Sequence, residues 1–106
     1  MTGREIVQTR LGIDPEAIDG FCLKWRIREL SLFGSALRDD FRVDSDVDLL
    51  VSFESPNPWT LWDFVDMKDE LERIFGRPVD LISRKGLTNP SRRQAILTTQ
   101  QVIYAA

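Results

Sequence analysis

Between the aspartates at 44–48 and the break at Pro56, Asn57 and Pro58 runs a seven-residue segment, Val47 to Phe53. Its Leu49, Leu50, Val51 and Phe53 form an apolar run with few polar interruptions. A run so short and so continuously apolar reads as a strand covered on both faces. It calls for a sheet with other elements packed against it. Ile27 to Phe33 alternates, then ends in Leu32-Phe33 before Gly34, as a buried strand stopping at a glycine turn would. Val79 to Ser83, entered through Pro78, reads as a third strand, and Val102 to Tyr104 as a short fourth.

Helical spacing fills the intervals. Asp14 is placed as an N-cap with Pro15 at the first helical position, followed by Ile18, Phe21, Cys22 and Trp25 on one face. Thr60 with Asp63 resembles a capping box, and Leu61, Phe64, Met67, Leu71 and Ile74 keep helical spacing until Gly76. Pro90 to Leu97 reads as a last helix with Arg92 and Arg93 in its first turn, and Ala36 to Phe41 as a short helical piece at most. Trp25, Trp59, Trp62, Phe64 and Phe75 fall mostly at apolar helical positions, which favours core packing over base stacking. Trp59, beside Pro58 at a helix start, is the one with room to be exposed. The expected architecture is α+β, one domain over residues 1–106, in which helices flank a small mixed sheet. The connection between the first two strands is too short for an ordinary parallel crossover.

Composition narrows the chemistry. The single cysteine, Cys22, excludes an internal disulfide framework, and the absence of histidine excludes most catalytic zinc geometries. A metal here must be held by oxygen. A net charge of -3 argues against tracking a long nucleic acid, which relies on a basic stripe. A single nucleotide arriving with Mg²⁺ needs no basic protein. No apolar stretch is long enough for a membrane span, and Met1 to Arg10 holds no continuous apolar segment, so the cytoplasm is the expected location.

Asp46 and Asp48, two residues apart at the head of a strand, should leave one face with Cβ atoms ~6 to 7 Å apart. Such a pair can share divalent cations, yet Asp-x-Asp alone is often a solvated turn or a cap. Gly34-Ser35 follows a strand and precedes a helical turn, where N–H groups point at an anion. Alone it is equally a plain turn with a serine cap. Asp80 on the third strand could be a cap or an ion-pair partner of Arg77 or Arg84. Together the pattern is more telling: Gly-Ser, ten residues, then Asp-x-Asp should arise by chance only on the order of once in several hundred chains of this length.

At this point the residues resemble a known family. Gly34-Ser35, Ser45-Asp46-Val47-Asp48-Leu49 and the later strand aspartate Asp80 resemble the active-site pattern of the DNA polymerase β-like nucleotidyltransferases. Ser31 to Arg38, Asp44 to Val51 and Gly76 to Leu81 are similar to the minimal nucleotidyltransferases of the MntA type, with similarity running from about Phe21 to Tyr104. The resemblance implies ATP with two Mg²⁺ ions, and an antitoxin that transfers AMP to a tyrosine of a HEPN-domain toxin. Carried onto this chain, Gly34 and Ser35 would hold the β and γ phosphates, with Arg38 and Ser45 also at the nucleotide. Asp46 and Asp48 would ligate both metals. Asp80 would ligate the metal nearer the acceptor and could take the hydroxyl's proton. Many relatives have glycine where this chain has Asp39, so Asp39 or Asp40 could pair with Arg38 instead. Lys85, Arg92 and Arg93 have no assigned partner. The competing reading is a non-catalytic module that neutralises its partner by covering it.

Overall fold

The computed structural model describes residues 2–38, 40–42 and 44–106. A short N-terminal helical segment opens the chain as α1 (Gly3–Glu5) and continues without a break as a π-helical turn, Ile6–Arg10. Then follow α2 (Pro15–Lys24), β1 (Ile27–Phe33), a 3₁₀ turn (Gly34–Leu37), β2 (Val47–Phe53), α3 (Leu61–Phe75) and β3 (Val79–Ser83). A second 3₁₀ turn (Arg84–Gly86), α4 (Pro90–Thr99) and β4 (Gln101–Ala105) complete it.

The four strands form one mixed sheet in the order β3-β2-β1-β4. β1 pairs antiparallel with both β2 and β4, and β2 pairs parallel with β3 across the α3 crossover. The expected α+β architecture is therefore the observed one. Its register also sorts the faces. Leu30 opposes Val51 and Leu32 opposes Leu49, and these pack with Val7, Ile18, Cys22, Met67 and Leu71 from the helices into the larger cluster. Phe33 and Leu50 turn the other way and meet Leu87 and Ile96 under α4. Continuous apolarity in β2 thus reflects a sheet covered on both sides.

Local signals set the helix ends. Asp14 accepts from the Glu16 N–H with Pro15 behind it, and Thr60 and Asp63 form the reciprocal capping box; a cap of this kind contributes about 1 kcal/mol. α3 buries Met67, Leu71 and Phe75, each side chain stabilising by roughly 1.5–3 kcal/mol. One aromatic expectation needs correction. Trp62 is 79 % exposed and Leu61 is 76 % exposed. Trp62 shares a helix column with Asp66, Asp69 and Arg73, all exposed, a turn away from the Phe64, Met67 and Leu71 stripe. Leu61 continues that stripe by spacing but lies in the first turn, where the buried contacts have run out. Trp59 is partly buried instead, its indole donating to the Trp25 carbonyl at 2.7 Å with the two rings edge to face at 5.1 Å. No helix among the described residues is long and apolar enough to cross a membrane.

Candidate active site

The end of the sheet where β1 finishes and β2 and β3 begin carries the candidate residues. In the parallel register Asp48 lies directly beside Asp80, and Phe33, the last residue of β1, opposes Asp48. Cross-strand partners share a face, so Asp48 and Asp80 emerge beside each other on the Phe33 and Leu50 side. Asp46 precedes β2 by one residue and is exposed. Asp80 is the second residue of β3, after Val79. Neither Arg77 nor Arg84 pairs with it among the described ion pairs.

The Gly34–Leu37 turn closes over Asp48. The Ser35 N–H donates to Asp48 Oδ2 at 3.4 Å, and the Ser35 hydroxyl donates to the Asp46 carbonyl at 3.0 Å. Gly34 has φ +67°, and a Cβ there would collide with the Asp48 carboxylate. Both the positive φ and the close approach therefore favour glycine at 34. This is a stronger constraint than an ordinary turn imposes.

Burial pushes the Asp48 carboxyl above its ordinary range; the Ser35 N–H opposes that shift, while Asp80 and then Asp46 add to it by repulsion. A divalent cation would relieve that repulsion, and every donor at this end of the sheet is oxygen. The residues fit a hard cation such as Mg²⁺. Among the described residues no group of three acidic, cysteine or histidine side chains is placed to hold a metal ion. Mg²⁺ does not call for one, since it keeps waters and takes substrate phosphates as ligands.

The remaining basic candidates separate. Arg38 is exposed at the end of the turn, its Nε 3.4 Å from Asp40 Oδ1, an ion pair of the kind the sequence left open; the Asp39 question lies outside the described residues. Ser45 accepts from the Arg42 N–H through its hydroxyl at 3.0 Å. Arg77, whose role sequence reasoning missed, donates to the Arg42 carbonyl at 3.1 Å and stacks 4.8 Å over Phe41, bracing the loop that leads into Asp46. Lys85 and Arg93 lie beyond the C-terminal end of β3, opposite the carboxylates. Arg93 donates to the Arg84 and Leu87 carbonyls, a structural use. Arg92 sits exposed at the start of α4, the helix end remote from Gly34. Sequence reasoning also missed Arg10, whose Nη1 donates to the Ala36 and Arg38 carbonyls at 2.9 and 3.3 Å.

Comparison with known proteins follows the same residues. Residues 15–102 match the nucleotidyltransferase domain family. The protein adenylyltransferase MntA of Thermococcus cleftensis is 32 % identical over 76 % of this chain and 77 % of its own length. A solved minimal nucleotidyltransferase superposes with a TM-score of 0.68 at 35 % identity, covering 94 % of each chain. A toxin-antitoxin complex crystallised with AMP-PNP superposes with a TM-score of 0.70 at 16 % identity, over 89 % of this chain and 75 % of that one, a likeness of fold. With a glycine turn closed over Asp48 and a second strand aspartate in register beside it, this chain belongs to the nucleotidyltransferase domain family and is a nucleotidyltransferase of the MntA type.

Proposed function

We propose that this protein transfers AMP from ATP to a hydroxyl, a tyrosine in the resemblance already described, on a HEPN-domain toxin, and thereby acts as its antitoxin. The observation that carries the reading is the juxtaposition of Asp48 with Asp80 under the Gly34-Ser35 turn. The relative from Thermococcus cleftensis bears the name protein adenylyltransferase, and the complex with AMP-PNP is a toxin-antitoxin pair. Both support a protein acceptor.

In this reading Gly34 and Ser35 bind the β and γ phosphates. Gly34 lets phosphate oxygens approach the main chain, and Ser35 supplies a hydroxyl donor. Asp46, Asp48 and Asp80 would hold Mg²⁺, two ions by the family pattern, which when bound supplies neutralisation of triphosphate charge and activation of the acceptor hydroxyl. The acceptor oxygen attacks the α phosphorus, the bond from that phosphorus to the bridging oxygen breaks, and pyrophosphate leaves. Asp80, exposed at the head of β3, takes the hydroxyl's proton. Arg38, at the end of the turn, and Ser45, in the loop before Asp46, would contact the nucleotide. Asp48, the more buried carboxylate, holds its place through Ser35.

Incubation of the chain with labelled ATP, Mg²⁺ and the toxin encoded beside it tests this. The expected result is label on the toxin from wild type and none from a variant with both Asp46→Asn and Asp48→Asn. Toxin silenced without label would favour neutralisation by covering and overturn the enzymatic reading.

A further inference from the structure

The Gly34–Leu37 turn is held on its two sides by different means. Toward the carboxylates, Ser35 binds Asp48 and the Asp46 carbonyl. Its other side borders an open cavity of about 690 Å³ whose lining includes Ile6, Arg10, Gly34, Leu37, Thr99 and Gln101. Ala36 and Leu37 anchor the turn from below in the larger cluster, while no side chain among the described residues caps its start. Across that cavity Arg10 reaches the turn and donates from one nitrogen to the carbonyls of Ala36 and Arg38.

Arg10 is itself firmly mounted. Ile6 and Val7 are buried in the larger cluster. Arg4 donates to Asp19 at 2.7 Å and to the Ile103 carbonyl at 3.2 Å, tying the N-terminal segment to α2 and β4. A Cβ on Gly3 would collide with the Val102 carbonyl, so this segment lies directly on the β4 backbone. It also precedes residue 15, where the family match begins.

We propose that Arg10 is a positioning residue for the nucleotide turn: the N-terminal segment straps β4 and uses Arg10 to hold the outer side of Gly34–Leu37 in its phosphate-binding shape. This rests on the reading of Gly34 and Ser35 as the phosphate turn. A charge-assisted bond to a carbonyl is stronger than a neutral one, and a small displacement of a phosphate-binding turn weakens the bound state. Because a single nitrogen makes both bonds, a lysine ammonium with its three donors can replace them.

Wild type, Arg10→Ala and Arg10→Lys are compared in three measurements: KM and kcat for AMP transfer, calorimetric affinity for inorganic tripolyphosphate with Mg²⁺, and hydrogen exchange of the Arg38 amide, which donates to the Ser35 carbonyl at 3.1 Å. In Arg10→Ala the KM for ATP should rise ~10-fold, with kcat within ~3-fold of wild type. Tripolyphosphate should weaken in proportion, and the Arg38 amide should exchange faster. Arg10→Lys should recover most of each. Unchanged tripolyphosphate affinity in Arg10→Ala overturns the proposal, as does a loss that Arg10→Lys leaves unrepaired. If Arg10→Ala does not fold, Arg10→Gln takes its place under the same criteria. If wild type never modifies the toxin, the adenylylation reading falls while the tripolyphosphate and exchange measurements still decide the role of Arg10.

Discussion

At the residue scale, the site depends on how closely the Gly34 backbone and the Asp48 carboxylate approach. Any side chain at 34 meets Asp48 and must also adopt φ +67°, so Gly34→Val should raise the apparent KM for ATP far more than Ser35→Ala. The serine change removes hydroxyl contacts of about 1 kcal/mol. ATP titrations of transfer rate in both variants check the order, and the reverse ranking would make the turn a structural feature only. Asp48 supplies a second test. Burial first, then Asp80 and Asp46, raise its folded pKa above the unfolded value, so the folded chain binds that proton more tightly. The associated stability is fully present below the ordinary carboxylate pKa of ~3.9 and is lost as pH rises through the raised folded value. In metal-free buffer Asp48→Asn should therefore raise Tm at neutral pH more than at pH ~4. Equal shifts at the two pH values would contradict this.

Which site residues could be read from the sequence follows from how each acts. Gly34, Ser35, Asp46, Asp48 and Asp80 are candidates by their own type and spacing, so the pattern shows in the chain. Arg10 and Arg77 act by reaching carbonyl oxygens 26 to 35 positions away, and a carbonyl is the same at every position. No sequence signal marks such a contact.

At the scale of elements, capping and periodicity located α2, α3 and the strands, because Asp14-Pro15 and Thr60 with Asp63 state their helix starts outright. The N-terminal segment went unread: its buried Ile6, Val7 and Leu11 are helically spaced but too few to stand out in a short, otherwise polar stretch, and residues Ile6–Arg10 form a π-helical turn. The aromatic positions of α3 show the limit of type alone, since Trp62 faces solvent while the stripe beneath it is buried. Met67→Ala should accordingly cost about 2–5 kcal/mol, whereas Trp62→Ala should change stability by less than ~0.5 kcal/mol. Urea unfolding of the two variants measures both, and comparable losses would contradict the assigned faces.

For the whole molecule, the mixed sheet brings three short sequence signals to one end: the turn after β1, the start of β2 and the start of β3. The parallel pairing of β2 with β3 is what sets Asp80 beside Asp48, and the α3 crossover imposes it. If Asp46, Asp48 and Asp80 face the triphosphate as proposed, they repel it unless cations intervene. ATP should therefore bind with Mg²⁺ and lose most of its affinity in EDTA; equal calorimetric affinity in both would remove the cation from the account.

Asp80→Asn separates binding from chemistry, because it leaves Gly34, Ser35, Asp46 and Asp48 in place while taking away the carboxylate proposed to accept the hydroxyl's proton. The measurement is the intact mass of the partner toxin after incubation with ATP and Mg²⁺, alongside a binding assay for ATP and for the complex. Wild type should add AMP to the toxin. Asp80→Asn should still bind ATP and the toxin, with transfer slowed at least ~100-fold. A toxin silenced equally by both proteins, with no added mass from either, would contradict the catalytic account.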